Sequence, residues 1–158
     1  MVLGVDPGTI RTGWGLVTRT GNRFRSPAAG VIEAGKQGEL PERLHAIYRG
    51  LREVIEQHRP EVMAVEDIFF ARSAAAALKL GHARGAVLLA AAEAGIGVCA
   101  YSPALVKRSV AGRGQAPKEQ VARIIGAILG LRELPPNDAT DALAIAITHL
   151  NAAGFAGK

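Results

Sequence analysis

The stretch VLGVDPGTIRTGWGLVT, residues 2–18, decides the fold because it places two short apolar segments on either side of a turn. Residues 2–5 predict a strand, and Asp6, Pro7 and Gly8 end that strand with a turn signal. A carboxylate therefore stands at the end of the first predicted strand. Residues 13–18 predict the second strand of an antiparallel start to the sheet.

The rest of the chain reads as alternating strands and helices. After a tight turn at Gly21 and Asn22, residues 30–34 predict the third strand of an antiparallel meander. The later predicted elements are an amphipathic helix that ends before Pro60, a strand at residues 62–65 followed by Glu66, an alanine-rich helix at residues 73–94, a strand at residues 98–101 and three further helices. We therefore expect one α/β domain, residues 1–158, in which the three-stranded antiparallel start continues into parallel strands flanked by helices.

Composition and length exclude several classes of protein. With 158 residues, 49% hydrophobic and 21% charged, the chain has the make-up of a globular domain and not of a disordered tail. The single cysteine, Cys99, cannot form an internal disulfide, and the amino end lacks the pattern of a secretory signal. The apolar run at residues 86–92 is too short to span a membrane. We expect a cytoplasmic protein that does not associate with membranes.

Positive charge is concentrated in one third of the chain. The net charge is +5, yet residues 68–118 alone carry +6, with Glu93 as their single acid. The cations of this segment are Arg72, Lys79, Arg84, Lys107, Arg108, Arg113 and Lys118. Any one of them alone is most simply a solvated side chain on a helix. Together they favour binding to nucleic acid, because a clustered cationic surface releases counterions from several phosphates.

Four acidic residues are placed for metal binding. Asp6 and Glu66 each follow an apolar strand, while Asp138 and Asp141 are three residues apart and share one face of the last predicted helix. Asp6 as a turn former and Asp138 as a helix cap are ordinary structural alternatives, which account less well for Glu66 and Asp141. Clustered carboxylates repel one another unless divalent cations neutralise them, and oxygen ligands without imidazole indicate magnesium.

Four segments of the chain resemble the RuvC family of crossover junction endodeoxyribonucleases. They are GVDPGTIRTGWG at residues 4–15, VEDIFFARSAAAALKLGHARGA at residues 65–86, YSPALVKRSVAGRGQAPKEQV at residues 101–121 and NDATDALAIAITH at residues 137–149. The resemblance spans nearly the whole chain. It implies a ribonuclease H-like fold, a homodimer, and the cutting of four-way Holliday junction DNA by paired nicks. It also implies Mg²⁺ as the cofactor, with two ions in each active site and Mn²⁺ as a substitute.

The resemblance also assigns roles to individual residues. The catalytic and metal-binding acids of the family fall on Asp6, Glu66, Asp138 and Asp141, the same four residues that strand ends and helix spacing indicate. Lys107 and Lys118 match lysines near the scissile phosphate, and Phe69 matches an aromatic residue that would stack on a base of the open junction. Weaker predicted DNA contacts are Arg72, Lys79, Arg84, Arg108 and Arg113. Asp67 is interpreted as a bystander, since strand alternation directs it away from Glu66.

The partners of the chain are expected from symmetry and from the resemblance. Paired nicks in a junction of two-fold symmetry need two active sites, and this chain supplies one. Gly81 and Gly85, one turn apart in the helix at residues 73–94, suit close packing either against a second copy of that helix or against the sheet. The family works with the RuvA and RuvB branch-migration proteins, a partnership that rests on the resemblance alone.

Two other functions are compatible with parts of the sequence. The turn at residues 6–9 is similar to the phosphate-binding turn of actin-like sugar kinases, although those proteins need two such domains and this chain has room for one. A junction-binding scaffold without catalysis would use the basic charge. Four acids beside the bound phosphates would not help such a scaffold, because they would repel the DNA.

Overall fold

The computed structural model describes residues 1–67 and 73–155, with side chains through residue 153. Phe69 and Arg72, two predicted DNA contacts, lie outside the described residues. The strands are β1 (Val2–Asp6), β2 (Arg11–Thr20), β3 (Arg23–Arg25), β4 (Ala29–Glu33), β5 (Val62–Glu66) and β6 (Gly97–Tyr101). The helices are α1 (Leu40–His58), α2 (Ala74–Glu93), α3 (Pro103–Ala111), α4 (Lys118–Leu129) and α5 (Asn137–Phe155).

The strands form one mixed sheet in the order β3-β2-β1-β5-β6, with β4 also paired to β2. β1 is antiparallel to β2 and parallel to β5, and β5 is parallel to β6, as the sequence predicts. Val5 of β1 pairs with Val65 of β5. The residues that follow these two, Asp6 and Glu66, therefore emerge side by side at one edge of the sheet.

The third strand of the meander differs from its prediction. One strand was expected at residues 30–34, whereas both β3 and β4 pair with the long strand β2. The segment between them contains Pro27, which has no backbone N–H to donate to β2 and so interrupts the ladder. The pairing resumes where Leu16 donates its N–H to the carbonyl of Ala28.

Helices cover both faces of the sheet and produce two buried clusters. On one face, Val2 and Val17 pack with Leu143 of α5 and with apolar residues of α3 and α4. On the other, Leu3 and Leu16 pack with α1 and α2. Neighbouring residues of a strand point to opposite faces, so each strand contributes to both clusters. None of the helices within the described ranges is long and apolar enough to cross a membrane.

Two helix starts follow directly from the local sequence. The side chain of Ser73 accepts a hydrogen bond from the N–H of Ala76 at the start of α2, and that of Ser102 accepts one from Leu105 at the start of α3. A side-chain cap of this kind satisfies a backbone donor that has no partner within the helix. The helix predicted to start at residue 73 thus begins with Ser73 as its cap.

Two glycines allow α5 to lie directly on the backbone of the sheet. A Cβ atom at Gly4 of β1 would stand 1.9 Å from the carbonyl oxygen of Ala142, and one at Gly13 of β2 would stand 1.9 Å from that of Asp138. Real Cβ atoms do not approach backbone so closely. The absence of side chains at these positions therefore sets how near the first turns of α5 come to the ends of β1 and β2.

We expect Gly4→Ala to lower the free energy of unfolding by about 3 kcal/mol or more, because the methyl group must push α5 away from the sheet in a packed core. Urea denaturation followed by circular dichroism measures the change. The matched control is Gly97→Ala in β6, where an added Cβ meets no atom of the described part of the chain within 4 Å. Equal losses in both variants would contradict the close approach of α5 as the cause.

Candidate active site

Three of the four predicted acids line one pocket of about 320 Å³. Asp6 comes from the end of β1, Glu66 from the end of the parallel neighbour β5, and Asp141 from the second turn of α5. Lys107 of α3 and Lys118 of α4 line the same pocket. Five charged side chains from five elements therefore meet at the sheet edge where β1 and β5 end.

Local hydrogen bonds hold the backbone segments that carry these acids. The turn after Asp6 is closed by Thr12, whose buried hydroxyl donates to the carbonyl of Gly8 at 3.0 Å and accepts from the N–H of the same residue at 3.3 Å. At the start of α5, the hydroxyl of Thr140 donates to the carbonyl of Pro135 at 3.0 Å. The carboxylates are thus displayed by ordered turns, although the pocket itself opens to solvent.

Asp138 lies next to the pocket and not in its lining. Its carboxylate is close enough to Asp6 to raise the pKa of that residue, and its Oδ2 lies 3.2 Å from Nε of Arg11. Asp138 is in the first turn of α5, where the positive end of the helix dipole favours an acid. All four predicted acids therefore belong to one cluster, with Asp138 at its border.

Burial and charge repulsion change the ionisation of Asp6. Burial of the carboxylate, followed by the neighbouring charges of Glu66, Asp141 and Asp138, raises the pKa of Asp6 from 3.8 to about 7. The positive charge of Lys118 partly offsets this increase. An acid whose charged form is disfavoured in this way gains most when a cation arrives to neutralise its surroundings.

The lysines moderate the negative potential of the cluster. Burial raises the pKa of Glu66, as does Asp141, whereas Lys118 and Lys107 lower it. Nζ of Lys118 donates a hydrogen bond to Oδ2 of Asp141 at 2.5 Å, and this contact raises the pKa of the lysine. Lys118 is therefore a firmly protonated group at the mouth of the site.

The donor set fits a hard divalent cation. All four acids offer carboxylate oxygen, and neither imidazole nor thiolate lines the pocket, which suits Mg²⁺ or Mn²⁺ better than zinc. The arrangement is not that of a formed coordination shell: in residues 1–67 and 73–155, no three His, Cys, Asp or Glu side chains already stand where they would hold a metal ion. The two acids of α5 are instead paired with Lys118 and Arg11.

Four of the other predicted DNA contacts, Lys79, Arg84, Arg108 and Arg113, do not line the pocket. Lys79, Arg108 and Arg113 are exposed, and Nη2 of Arg113 donates to the side chain of Gln120 at 3.1 Å. Arg84 is partly buried and lies 3.7 Å from Asp67, with which it forms an ion pair. Asp67 does not line the pocket, and its interpretation as a bystander stays a prediction.

Arg11, which contacts Asp138, is not among the site residues predicted from the sequence. Its position gives a signal only in combination with other residues. Arg11 stands two residues before Gly13 and therefore points to the same face of β2, and Gly13 is where α5 touches that strand. Recognising this pair requires knowing in advance that α5 crosses the sheet at Gly13.

Comparison with protein families gives a match along nearly the whole chain. The family of the crossover junction endodeoxyribonuclease RuvC matches residues 2–149. A curated relative from Sorangium cellulosum, the crossover junction endodeoxyribonuclease RuvC, is 53% identical over 155 residues, which are 98% of this chain and 87% of that protein. The corresponding protein of Citrifermentans bemidjiense is 47% identical, over 98% of this chain and 94% of its own length.

Solved structures give the same result. Thermus thermophilus RuvC in complex with a Holliday junction substrate is similar with a TM-score of 0.92 and 43% identity, covering 98% of this chain and 95% of that one. The yeast mitochondrial Holliday junction resolvase Ydc2 shares the fold, with a TM-score of 0.68 at 14% identity. The ribonuclease H-like fold expected from the resemblance is confirmed. These similarities do not favour the scaffold or the actin-like kinase.

Without divalent cations, we expect the free energy of unfolding to fall by about 2 to 3 kcal/mol between pH 5 and pH 8. In this range Asp6 is already ionised in the unfolded chain, whereas the folded protein releases this proton only as the pH passes through about 7, the pKa of Asp6 there. Each rise in pH up to about 7 therefore favours unfolding, and the loss levels off above it. Urea titrations in EDTA measure this slope, and Asp6→Asn should remove most of it. An unchanged slope in that variant would exclude Asp6 as its source.

Proposed function

The chain belongs to the RuvC family of crossover junction endodeoxyribonucleases, and from this premise we propose that it resolves four-way DNA junctions by metal-assisted hydrolysis of phosphodiester bonds. One observation carries the proposal. Asp6, Glu66 and Asp141, from three separate elements, meet in one pocket with two lysines, and Asp138 stands at its border. Acids and lysines so arranged suit the binding of divalent ions and a phosphate at the same place.

In this proposal the four acids hold divalent cations, Mg²⁺ in the cell with Mn²⁺ as a substitute, and two ions bind in each active site. Such ions lower the pKa of an attacking water and stabilise charge on the phosphate and on the departing 3′ oxygen. The chain contributes fixed carboxylates: Asp6 and Glu66 are held by adjacent parallel strands, and Asp138 and Asp141 by one helix. These four residues are the proposed catalytic and metal-binding groups.

The two lysines act on the substrate phosphate. Lys107 lines the pocket and lowers the pKa of Glu66, which places its charge within reach of the acids. Lys118 donates to Asp141 and is held at the same opening. A lysine ammonium is a compact point charge with three donors, suited to contact a phosphate oxygen while the metal ligands remain in place. We assign both residues to the binding and orientation of the scissile phosphate.

The remaining basic residues would position the arms of the junction. The Thermus thermophilus relative was solved with a Holliday junction substrate, and this chain is similar to it over 98% of its length. Exposed Lys79, Arg108 and Arg113 are available for phosphate contacts. Arg84 would first have to leave Asp67. The proposed contacts of Phe69, by stacking on a base, and of Arg72 rest on the resemblance.

The surface of α2 supports a homodimer. Its buried side packs in the cluster with α1 and the sheet, whereas Leu78, Gly81, Gly85 and Leu89 follow one another at helical spacing on an exposed stripe. Among the residues that the structure describes, a Cβ at either glycine would meet nothing within 4 Å, so these glycines do not serve packing against this chain's own sheet. A stripe of two leucines around two glycines suits close contact with a second copy of α2, which would supply the second active site.

The proposal also covers where the protein acts and which proteins it works with. Junction resolution takes place on the chromosome, so we propose that the protein acts in the cytoplasm in recombination and repair. The proposed association with RuvA and RuvB rests on family membership.

We expect Glu66→Gln to reduce nicking of a synthetic four-way junction by more than about 100-fold, because even the loss of a residue that supports a metal ligand commonly costs about 10- to 100-fold. Junction binding should persist, since the change removes a negative charge beside the DNA. Single-turnover nicking with Mg²⁺ and a gel-shift titration measure the two effects. The matched control is Glu53→Gln, which changes an exposed acid on α1 and should leave the nicking rate unchanged. Rapid nicking by Glu66→Gln would contradict the proposed role of this acid.

We expect Leu89→Arg to convert a dimer into monomers, because the new charge would be buried between two copies of α2. Light scattering after size-exclusion chromatography measures the oligomeric state. The control is Leu134→Arg, which changes another exposed leucine away from α2 and should leave the dimer intact. A wild-type monomer, or a dimer that survives in Leu89→Arg, would refute this interface.

A further inference from the structure

Arg11 connects two carboxylates at the border of the acidic cluster. Its Nε atom lies 3.2 Å from Oδ2 of Asp138 and 3.1 Å from Oε1 of Glu33. Arg11 opens β2 and Glu33 closes β4, and the two residues are direct partners in the ladder between these strands. Glu33 is thus fixed beside Arg11 by backbone pairing, independently of Asp138.

The contact between Arg11 and Asp138 also depends on how the backbones of β2 and α5 pack. Gly13 lies two residues along β2 from Arg11, and its missing side chain lets the first turn of α5 touch the strand at Asp138. Alternation along a strand places Arg11 and Gly13 on the same face. The guanidinium of Arg11 therefore lies next to the first turn of α5. Its side chain is 45% exposed and that of Asp138 is 33% exposed, so both remain open to ions and to DNA.

A bound guanidinium and a divalent cation compete for the same carboxylate. A positive charge 3.2 Å from Asp138 repels an arriving metal ion and uses an oxygen that would otherwise serve as its ligand. A phosphate is an alternative partner for Arg11, because it is negatively charged like the carboxylate of Asp138. Guanidinium groups bind phosphate oxygens with two parallel hydrogen bonds. A DNA phosphate near the opening of the site offers such a partner.

We propose that Arg11, held in place by Glu33, is a positioning residue that keeps Asp138 paired in the DNA-free protein and releases it to a divalent cation when a DNA phosphate binds the guanidinium. This inference rests on the proposed function, since it assumes that Asp138 ligates metal. It makes metal loading depend on substrate. If Arg11 only oriented Asp138 for the metal ion, its removal would weaken the binding of the cation, whereas this proposal predicts tighter binding.

The first test is the affinity of the DNA-free protein for Mg²⁺, measured by isothermal titration calorimetry. Arg11→Gln should bind Mg²⁺ about two- to tenfold more tightly than wild type, because the competing charge is gone. Arg49→Gln is the matched control, since Arg49 is an exposed arginine that pairs with Glu53 on α1 at 3.6 Å. It should change the affinity by less than about twofold. Unchanged or weaker Mg²⁺ binding in Arg11→Gln would overturn the proposal.

The second test asks whether Arg11 moves to phosphate. Junction binding is measured in EDTA over a range of salt concentrations for the same three proteins. Arg11→Gln should reduce the slope of log affinity against log salt by about 1, the value for one lost phosphate contact, while Arg49→Gln leaves the slope unchanged. Equal slopes for Arg11→Gln and wild type would show that the guanidinium stays on Asp138, which contradicts the proposal.

A third variant keeps the test valid if Arg11→Gln folds poorly. Glu33→Gln retains the arginine but removes the negative charge of its second partner, so the guanidinium is attracted mainly by Asp138. Mg²⁺ affinity should then fall by about twofold or more, whereas Glu53→Gln, the matched remote change, should leave it within about twofold of wild type. Tighter Mg²⁺ binding in Glu33→Gln would count against the competition between Arg11 and the metal.

Failure of the inference is distinguishable from failure of the proposed function. Glu66→Gln is titrated with Mg²⁺ in parallel. If it binds Mg²⁺ as well as wild type does, the proposed metal site itself is wrong. If it loses binding while Arg11→Gln is unchanged, the metal site stands and the role assigned to Arg11 fails.

Discussion

The geometry of the acidic cluster depends on direct contact between the backbone of α5 and the backbones of β1 and β2. Gly4 and Gly13 leave no side chain between them, so the carbonyl groups of Ala142 and Asp138 rest on the strands. A helix held at the usual distance by side chains would carry its acids several ångströms away from Asp6. Two missing side chains therefore determine whether the acids form one cluster. The rest of the helix is anchored by an almost continuous apolar surface.

The cluster shows a balance between burial and charge. Burial raises the pKa values of Asp6 and Glu66, and nearby acids raise them further. The two acids of α5 are paired with cations, Asp138 with Arg11 and Asp141 with Lys118. Folding thus assembles the carboxylates at the cost of their mutual repulsion, and side-chain cations offset part of that repulsion. Lysine and arginine side chains also bind phosphate. In the proposed function, the charge that stabilises the folded protein is therefore also available to the substrate.

Much of this arrangement could be predicted from the sequence, because the signals were local. Strand ends placed Asp6 and Glu66, and a three-residue spacing placed Asp138 and Asp141 on one helix face. Features that depend on contacts between distant segments could not be predicted in the same way. They include the division of the third strand into β3 and β4, and the ion pairs that join Arg11 and Lys118 to α5. Ion-pair partners are set by how elements pack, which no single segment encodes.

The sheet separates the two buried clusters, and this division has an evolutionary consequence. The acids and lysines are carried on strand ends and on the layer formed by α3, α4 and α5, whereas the exposed stripe of α2 belongs to the opposite layer. In the proposed homodimer, substitutions that reshape the α1–α2 layer would therefore alter how the two copies are spaced without disturbing the carboxylates. Under that proposal, related chains are free to diverge in the substrate geometries that a dimer spans while keeping the same chemistry.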